Sequence, residues 1–234
     1  VIYQVTPTAN GCAGPAVNYT IFVNPLPTVI LPAPQTICSG QTTTVANLNS
    51  NIAGTTYIWS ASSVSVTGFT ANGAGNIPVE TLLNSGTSPG TVVYTVTPSV
   101  TINGLACSGN PVNYTVTVNP APAVSFSIAN QTICSGQSSV LVSLSSATAG
   151  ATIAWTAVQP VGITGVTTSG TNTLPVQTLT NTTANPIDVI YSATATTSGG
   201  AACPGITQTY MITVNPVPHV NPPTNQIICN GNNT

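Results

Sequence analysis

The chain repeats the same short motifs about every 95 residues, and this repetition limits what it can fold into. The motif Ile-Cys-Ser-Gly-Gln starts at Ile37 and at Ile133, and a looser copy starts at Ile228. A second motif leads from Cys-x-Gly to Asn-Pro-x-Pro and starts at Cys12, Cys107 and Cys203. A repeat of this length exceeds a solenoid unit and has the size of a whole small domain. The sequence therefore predicts tandem small domains.

The Asn-Pro-x-Pro segments are the predicted joints between these domains. Proline fixes φ, has no backbone N–H and disfavours helix in the residue before it, so each joint should be short, extended and stiff. The joints divide the chain into 1–25, 26–121, 122–217 and 218–234. We expect the first range to hold the last strands of a preceding repeat and the last range to hold the first strand of a following one. The chain would then be a segment of a longer protein.

Within a repeat, apolar residues alternate with polar ones, which is the period of a strand with one buried face. The clearest runs are 112–118 and 210–214, and strands are also predicted at 41–48 and 138–144. Gly, Pro, Asn and Ser clusters separate the runs at short intervals, and no long amphipathic helix is visible. Seven or so strands per repeat, with one Trp on the third, predict an all-β fold of tandem immunoglobulin-like sandwiches.

Four aromatic residues are predicted to lie in the cores. Trp59 and Trp155 occupy the same place in the two full repeats, and Tyr114 and Tyr210 lie in the alternating runs. A ligand platform is the alternative for the tryptophans. The repetition favours the core, because one Trp per sandwich at one position is typical of strand C.

The lack of charge excludes several classes of partner. The chain has no Lys or Arg, and its acids are Glu80 and Asp188. Without cations it has nothing to neutralise nucleic-acid phosphates or to bind anionic lipid. Its apolar runs are too short to insert into a membrane as a spanning helix.

The same inventory predicts no enzyme, no cofactor and no metal site. His219 is the single imidazole and falls in a proline-rich joint, while Glu80 and Asp188 stand where the other repeat has Gln177 and Thr91. No nucleophile with a base and no carboxylate pair is therefore expected within a repeat. Calcium sites of adhesive repeats need several carboxylates at each joint, and these joints have none.

Six cysteines recur at equivalent positions of the repeats, which favours disulfides and an oxidising, extracellular setting. Buried free thiols are the alternative. The disulfide candidates are Cys12, Cys38, Cys107, Cys134, Cys203 and Cys229. No pair has the C-x-x-C spacing of a zinc site.

Strand directions in an orthodox sandwich place Cys38 and Cys107 at opposite ends of one repeat. A bond from Cys38 to Cys203 of the next repeat would instead staple the joint between two repeats. The within-repeat bond stays open if the first strand changes sheets early and brings Cys38 towards Cys107.

The turn and strand motifs of the repeats resemble those of a known class of protein repeats. The segments Ile37–Gln41, Tyr94–Pro98 and Tyr114–Pro122, with the Trp strand, are similar to PKD-like and immunoglobulin-like repeats of giant surface proteins in Bacteroidetes-type bacteria. Such repeats occur in gliding-motility adhesins exported by type IX secretion. The resemblance implies a long extracellular stalk or adhesin without catalytic residues.

The favoured function is therefore a structural or adhesive stalk, or a filament segment, of a bacterial cell surface. Its expected partners are further repeats of the same polypeptide, other copies in a fibre or bundle, and a surface or glycan target. Two alternatives stand beside it: a carbohydrate- or ligand-binding module, and an accessory segment of a large secreted enzyme. Sugar sites usually expose aromatic residues, and only 5% of this chain is aromatic.

Overall fold

The computed structural model describes residues 1–197, 202–225, 227 and 229–230. These residues form strands and turns, with no helix among them, and they divide into two compact units, Val1–Pro120 and Ala121–Thr234. The architecture confirms the predicted all-β class with tandem sandwich repeats. The expected strand in 218–234 falls partly on residues outside the described ranges, and the described part of that segment forms no strand.

The strands fall into an amino-terminal hairpin segment and two complete repeats. The hairpin segment contains β1 (Ile2–Val5), β2 (Thr8–Ala9), β3 (Cys12–Ala13) and β4 (Val17–Thr20). The first repeat contains β5 (Val29–Ile30), β6 (Gln35–Cys38), β7 (Asn49–Ser50), β8 (Thr56–Ser63), β9 (Val66–Thr67), β10 (Asn72–Ala74), β11 (Leu83–Asn84), β12 (Gly90–Ile102), β13 (Leu105–Ser108) and β14 (Val112–Asn119). The second repeat contains β15 (Ser125–Phe126), β16 (Gln131–Cys134), β17 (Val142–Ser145), β18 (Thr152–Ala157), β19 (Ile163–Thr164), β20 (Ser169–Thr171), β21 (Thr173–Leu174), β22 (Thr180–Asn181), β23 (Ile187–Thr196) and β24 (Gln208–Asn215).

Both repeats have the same main sheet. Its strand order is β10-β8-β12-β14-β6 in the first repeat, where β13 also pairs with β12, and β20-β18-β23-β24-β16 in the second. Neighbours on this path are antiparallel except for β6 with β14 and β16 with β24, which are parallel. Shorter ladders, such as β5 with β7 and β11 with β9, cover the other side of the first core.

Each core is centred on a Trp that packs edge-on against a Tyr. The ring centroids of Trp59 and Tyr94 are 5.7 Å apart, and those of Trp155 and Tyr191 are 5.6 Å apart. All four rings are buried, as are those of the predicted core tyrosines Tyr114 and Tyr210. The alternating strands supply the remaining core residues, because every second side chain points inward.

The predicted continuous strand at 41–48 is wrong. This segment has only isolated bridges, from Thr42 to Thr81 and from Ala46 to Ile77. The side chain of Gln35 takes both the N–H and the carbonyl of Thr44, so the backbone of Thr44 does not pair with the opposite segment. In the second repeat the predicted strand at 138–144 shrinks to β17, and the side chain of Gln131 takes the N–H and the carbonyl of Val140 in the same way.

The two tryptophans allow a matched test of core packing. Replacing either with Ala should cost about 3–5 kcal/mol of unfolding free energy. The indole N–H of Trp155 donates to the carbonyl of Thr173 at 2.9 Å, whereas the indole nitrogen of Trp59 is buried with no described partner. Trp155→Phe should therefore destabilise more than Trp59→Phe, by about 1 kcal/mol. Urea unfolding of each variant measures both effects, and equal costs for the two Phe variants would contradict the hydrogen-bond argument.

Candidate functional site

Glu80 lies in a buried hydrogen-bond network. Its carboxylate accepts the backbone N–H of Thr70 at 2.7 Å and the hydroxyl of Tyr94. In the second repeat Gln177 takes the same place: its amide oxygen accepts the N–H of Thr167 at 2.6 Å, and its amide nitrogen donates to Tyr191 Oη at 3.0 Å. A neutral amide thus makes the same contacts. This indicates that the Glu80 carboxylate has a structural role as a hydrogen-bond partner in the core.

The other two titratable candidates are exposed and separate from this network. Asp188 lies on β23, where its carboxylate accepts the hydroxyl of Thr213 on the neighbouring strand at 2.7 Å. His219 lies beyond the last strand, beside Pro216 and Thr182. Among the described residues, no group of three or more His, Cys, Asp and Glu side chains could hold a metal ion.

The Gln that begins the strand β6 or β16 holds each cysteine strand in place. Gln35 Nε2 donates to Tyr114 Oη and to the carbonyl of Thr44, both at 2.9 Å, and Gln35 Oε1 accepts the N–H of Thr44 at 2.7 Å. Gln131 bonds Tyr210 Oη and the backbone of Val140 in the same way. The core tyrosine therefore also anchors the strand that carries the cysteine.

The turn after each cysteine is tied to the last strand through one Asn. Asn84 N–H donates to Ser39 Oγ at 2.9 Å, and Asn84 Nδ2 donates to the carbonyl of Val118 at 2.7 Å. Asn181 makes the equivalent bonds to Ser135 and Val214 at 2.9 and 2.8 Å. Alternation of apolar and polar residues does not predict these asparagines, although their shared spacing from the cysteine turn is a usable signal.

These bonds place the cysteine turn at the end of its repeat that leads into the next joint. Cys38 is paired in register with Asn119, the first residue of a joint, and Cys134 is paired with Asn215. Cys107 instead pairs with Val100, far along β12. From Gly90 to Val100 this strand rises about 33 Å, while a disulfide needs Cα atoms within about 7 Å.

The within-repeat bond between Cys38 and Cys107 is therefore wrong, although the chain does change sheets between β5 and β6. The change leaves Cys38 at the far end of the last strand, because β6 runs parallel to β14. Cys38 and Cys203 each take part in a disulfide. The free thiols belong to Cys12, Cys107, Cys134 and Cys229.

The Gly of each Cys-x-Gly motif makes room for the joint that enters its repeat. A Cβ at Gly109 would overlap the carbonyl oxygen of Pro27, and a Cβ at Gly205 would overlap that of Pro122. The second Pro of Asn-Pro-x-Pro therefore packs against the repeat that follows it. Each motif repeated in the sequence thus lies at one end of a sandwich, where the chain enters or leaves.

The described residues contain no helix that is long and apolar enough to cross a membrane.

Comparison with known proteins gives a family match over most of the chain. The profile of the PKD-like domain matches residues 35–122 and 131–218. No curated protein matches the sequence.

Similar solved structures include mouse cadherin-23 EC22-24, with 12% identity, a TM-score of 0.44, and coverage of 83% of this chain and 67% of that one. The D00-D0 domain of intimin has 14% identity, a TM-score of 0.37, and coverage of 79% and 99%. The protocadherin gamma B2 extracellular cadherin domains 3-6 have 12% identity, a TM-score of 0.37, and coverage of 92% and 57%.

The buried Glu80 gives a prediction for which Gln177 of the second repeat is the reference. Glu80→Gln should change stability by less than about 1 kcal/mol, because Gln177 makes the same contacts in the second repeat. Glu80→Leu should cost about 2–4 kcal/mol, since it leaves the Thr70 N–H and the Tyr94 hydroxyl without their acceptor. Chemical unfolding measures both, with the exposed Asp188→Asn as the control. A destabilisation by Glu80→Gln as large as that by Glu80→Leu would show that the charge itself is required.

The buried tyrosines predict a loss of stability at alkaline pH. Burial raises the pKa of Tyr94 and Tyr191 above the ordinary phenol value of about 10, and the hydrogen bond to Glu80 raises that of Tyr94 further. The unfolded chain ionises these phenols near pH 10 while the folded chain keeps them neutral. Their contribution is therefore complete below pH 10 and declines as the pH rises above it.

Urea unfolding at pH 8 and pH 11 tests this expectation. The fall between the two should be smaller in the variant with Tyr94→Phe and Tyr191→Phe than in the parent chain. An equal fall in both proteins would assign the alkaline effect to other groups.

Proposed function

This chain belongs to the PKD-like domain family, and on that basis we propose that it is a stalk or filament segment of a large bacterial surface protein. Its role is structural and adhesive, it lies outside the cell, and type IX secretion is the export route of the proteins it resembles. Two features support an extracellular stalk. The chain has no Lys or Arg for trypsin-like proteases to cut, and two of its cysteines are oxidised.

The state of the cysteines carries this proposal. Cys38 and Cys203 are the two bonded cysteines of six, so we infer that one disulfide joins them. It would close a loop of about 165 residues, for which the chain-entropy argument gives an upper figure of about 5 kcal/mol. A bond between consecutive repeats stiffens a string of domains, as a stalk requires.

The repetition of the sequence extends the inferred bond between consecutive repeats to the cysteines that are free thiols here. Cys134 and Cys229 occupy the position of Cys38, while Cys12 and Cys107 occupy that of Cys203. Each would bond a cysteine of an adjoining repeat in a longer array. The result is a ladder in which each repeat is cross-linked to both neighbours.

Peptide mapping without reductant tests the disulfide, using a protease that cleaves after aromatic residues. We expect one linked peptide pair that contains Cys38 and Cys203, and its loss in Cys38→Ser. The matched control Cys134→Ser should leave the pair intact. A dominant peptide linking Cys38 to any other cysteine would contradict the disulfide between Cys38 and Cys203.

Self-association is the second part of the proposal. A surface with almost no net charge lacks the repulsion that keeps proteins apart. The edge strands β6 and β10 have only four and three residues, which limits edge-to-edge pairing. We therefore place lateral contact on an aliphatic stripe formed by exposed Val140, Leu141 and Val176, with Val45 and Val79 at the equivalent places of the first repeat.

Sedimentation at rising protein concentration measures this association. Val140→Thr with Leu141→Thr and Val176→Thr should weaken it at least about tenfold, because three apolar contacts are lost. The control Val158→Thr removes an exposed aliphatic residue elsewhere on the same repeat and should have no effect. A parent chain that stays monomeric at millimolar concentration would refute association.

Imaging of the native surface protein tests the whole function. Antibodies against this segment should label thin extensions that project from the cell. Labelling confined to a compact secreted enzyme would favour the accessory-segment alternative.

A further inference from the structure

The amino-terminal hairpin exposes the residues that form the core elsewhere in the chain. Strand β1 pairs with β4 in a register that places Tyr3 opposite Tyr19. Strand β12 pairs with β14 in the same register, which places Tyr94 opposite Tyr114. The side chains of Tyr3 and Tyr19 are 52% and 62% exposed, whereas those of Tyr94 and Tyr114 are 0% and 2% exposed.

The aliphatic residues of the hairpin follow the same rule. Val5 and Val17 face each other across the pair and are exposed, as are Val1, Ile21 and Val23. The counterparts of Val1, Val5, Ile21 and Val23 on β12 and β14, at positions 92, 96, 116 and 118, are buried, whereas the counterpart of Val17, at position 112, is 37% exposed. The hairpin therefore presents one apolar face that already has the pattern of a sandwich core.

In the complete repeat two strands flank the equivalent pair β12 and β14, and Leu82 of the same block lies in the buried core on its face. Strand β8 pairs antiparallel with β12 and brings Trp59 against Tyr94, and β6 pairs parallel with β14 and brings Gln35 to Tyr114. In the described part of the chain, β1 and β4 form a sheet of two strands without such neighbours. The second repeat flanks its equivalent pair, β23 and β24, with β18 and β16 in the same way.

We propose that the β1–β4 face is an acceptor for one occupant, a strand block of the kind that residues 26–91 form in the first repeat. This block belongs to the same polypeptide and supplies a Trp-bearing strand to the free edge of β1 and a Gln-Thr-Ile-Cys strand to that of β4. The choice follows from register, because both complete repeats bury this pattern with such a block. The inference rests on the repeat-array function and names the partner of its first segment.

The test fuses a second copy of residues 26–91 directly before Val1 of the full chain. The third repeat should fold, so the unfolding enthalpy should rise by about half, as three repeats replace two. Amide hydrogen exchange in β1 and β4 should slow by at least about 100-fold. Tyr3→Asn with Tyr19→Asn in the fusion should abolish both changes and leave the other two repeats intact.

The matched control is Gln4→Thr with Asn18→Thr on the opposite face of the hairpin, which should retain both changes. A fusion whose added block stays unfolded, with exchange in β1 and β4 unchanged, overturns the proposal. So does an unfused chain that dimerises through this face and loses dimerisation with Tyr3→Asn and Tyr19→Asn, because the occupant is then a second copy. Neither result touches the stalk function, which surface labelling tests independently.

Discussion

Each repeat must close a sandwich core with almost no charge, and this constraint organises its polar side chains. A buried polar group is costly unless it is hydrogen-bonded, and ion pairs with Lys or Arg are unavailable to this chain. Amides and phenols take this role. Gln35 bonds the backbone of Thr44 and the hydroxyl of Tyr114, and Asn84 donates to the carbonyls of Ser88 and Val118. Even Glu80 occupies a place that an amide fills in the second repeat.

The same bonds determine where the chemistry of the cysteines can occur. Because Gln35 and Asn84 fasten the cysteine turn to the last strand, Cys38 lies beside the start of the next joint. The incoming joint packs at the opposite end, where Gly109 makes room for Pro27. A repeat thus keeps its two cysteine positions at opposite ends. This separation rules out an internal bond and leaves neighbouring repeats as the source of partners in the proposed stalk.

The sequence predicted the long elements well and the short ones poorly. Alternation over 112–118 and 210–214 is strong because those strands are half-buried along their whole length, and the cores with Trp59 and Trp155 follow from repetition. The break at 41–48 does not follow from alternation, because it depends on the side chain of Gln35, which bonds the backbone of Thr44 in place of the opposite strand. The parallel pairing of β6 with β14 could not be predicted from alternation either. Alternation shows which side chains of a strand face the core, but it does not show which strand lies next to it. The domain boundaries stay predictions.

The parallel pair of β6 and β14 has a mechanical consequence. The chain enters the pair at Gln35 and leaves it at Asn119, and both strands run in the same direction. Tension along the polypeptide therefore pulls the two strands past each other along their length. Their backbone hydrogen bonds are loaded in shear and must break together, unlike the rungs of a hairpin opened from one end. A domain whose first and last strands pair in this way resists stretching along its own axis. This mechanical resistance is separate from its stability against heat or urea.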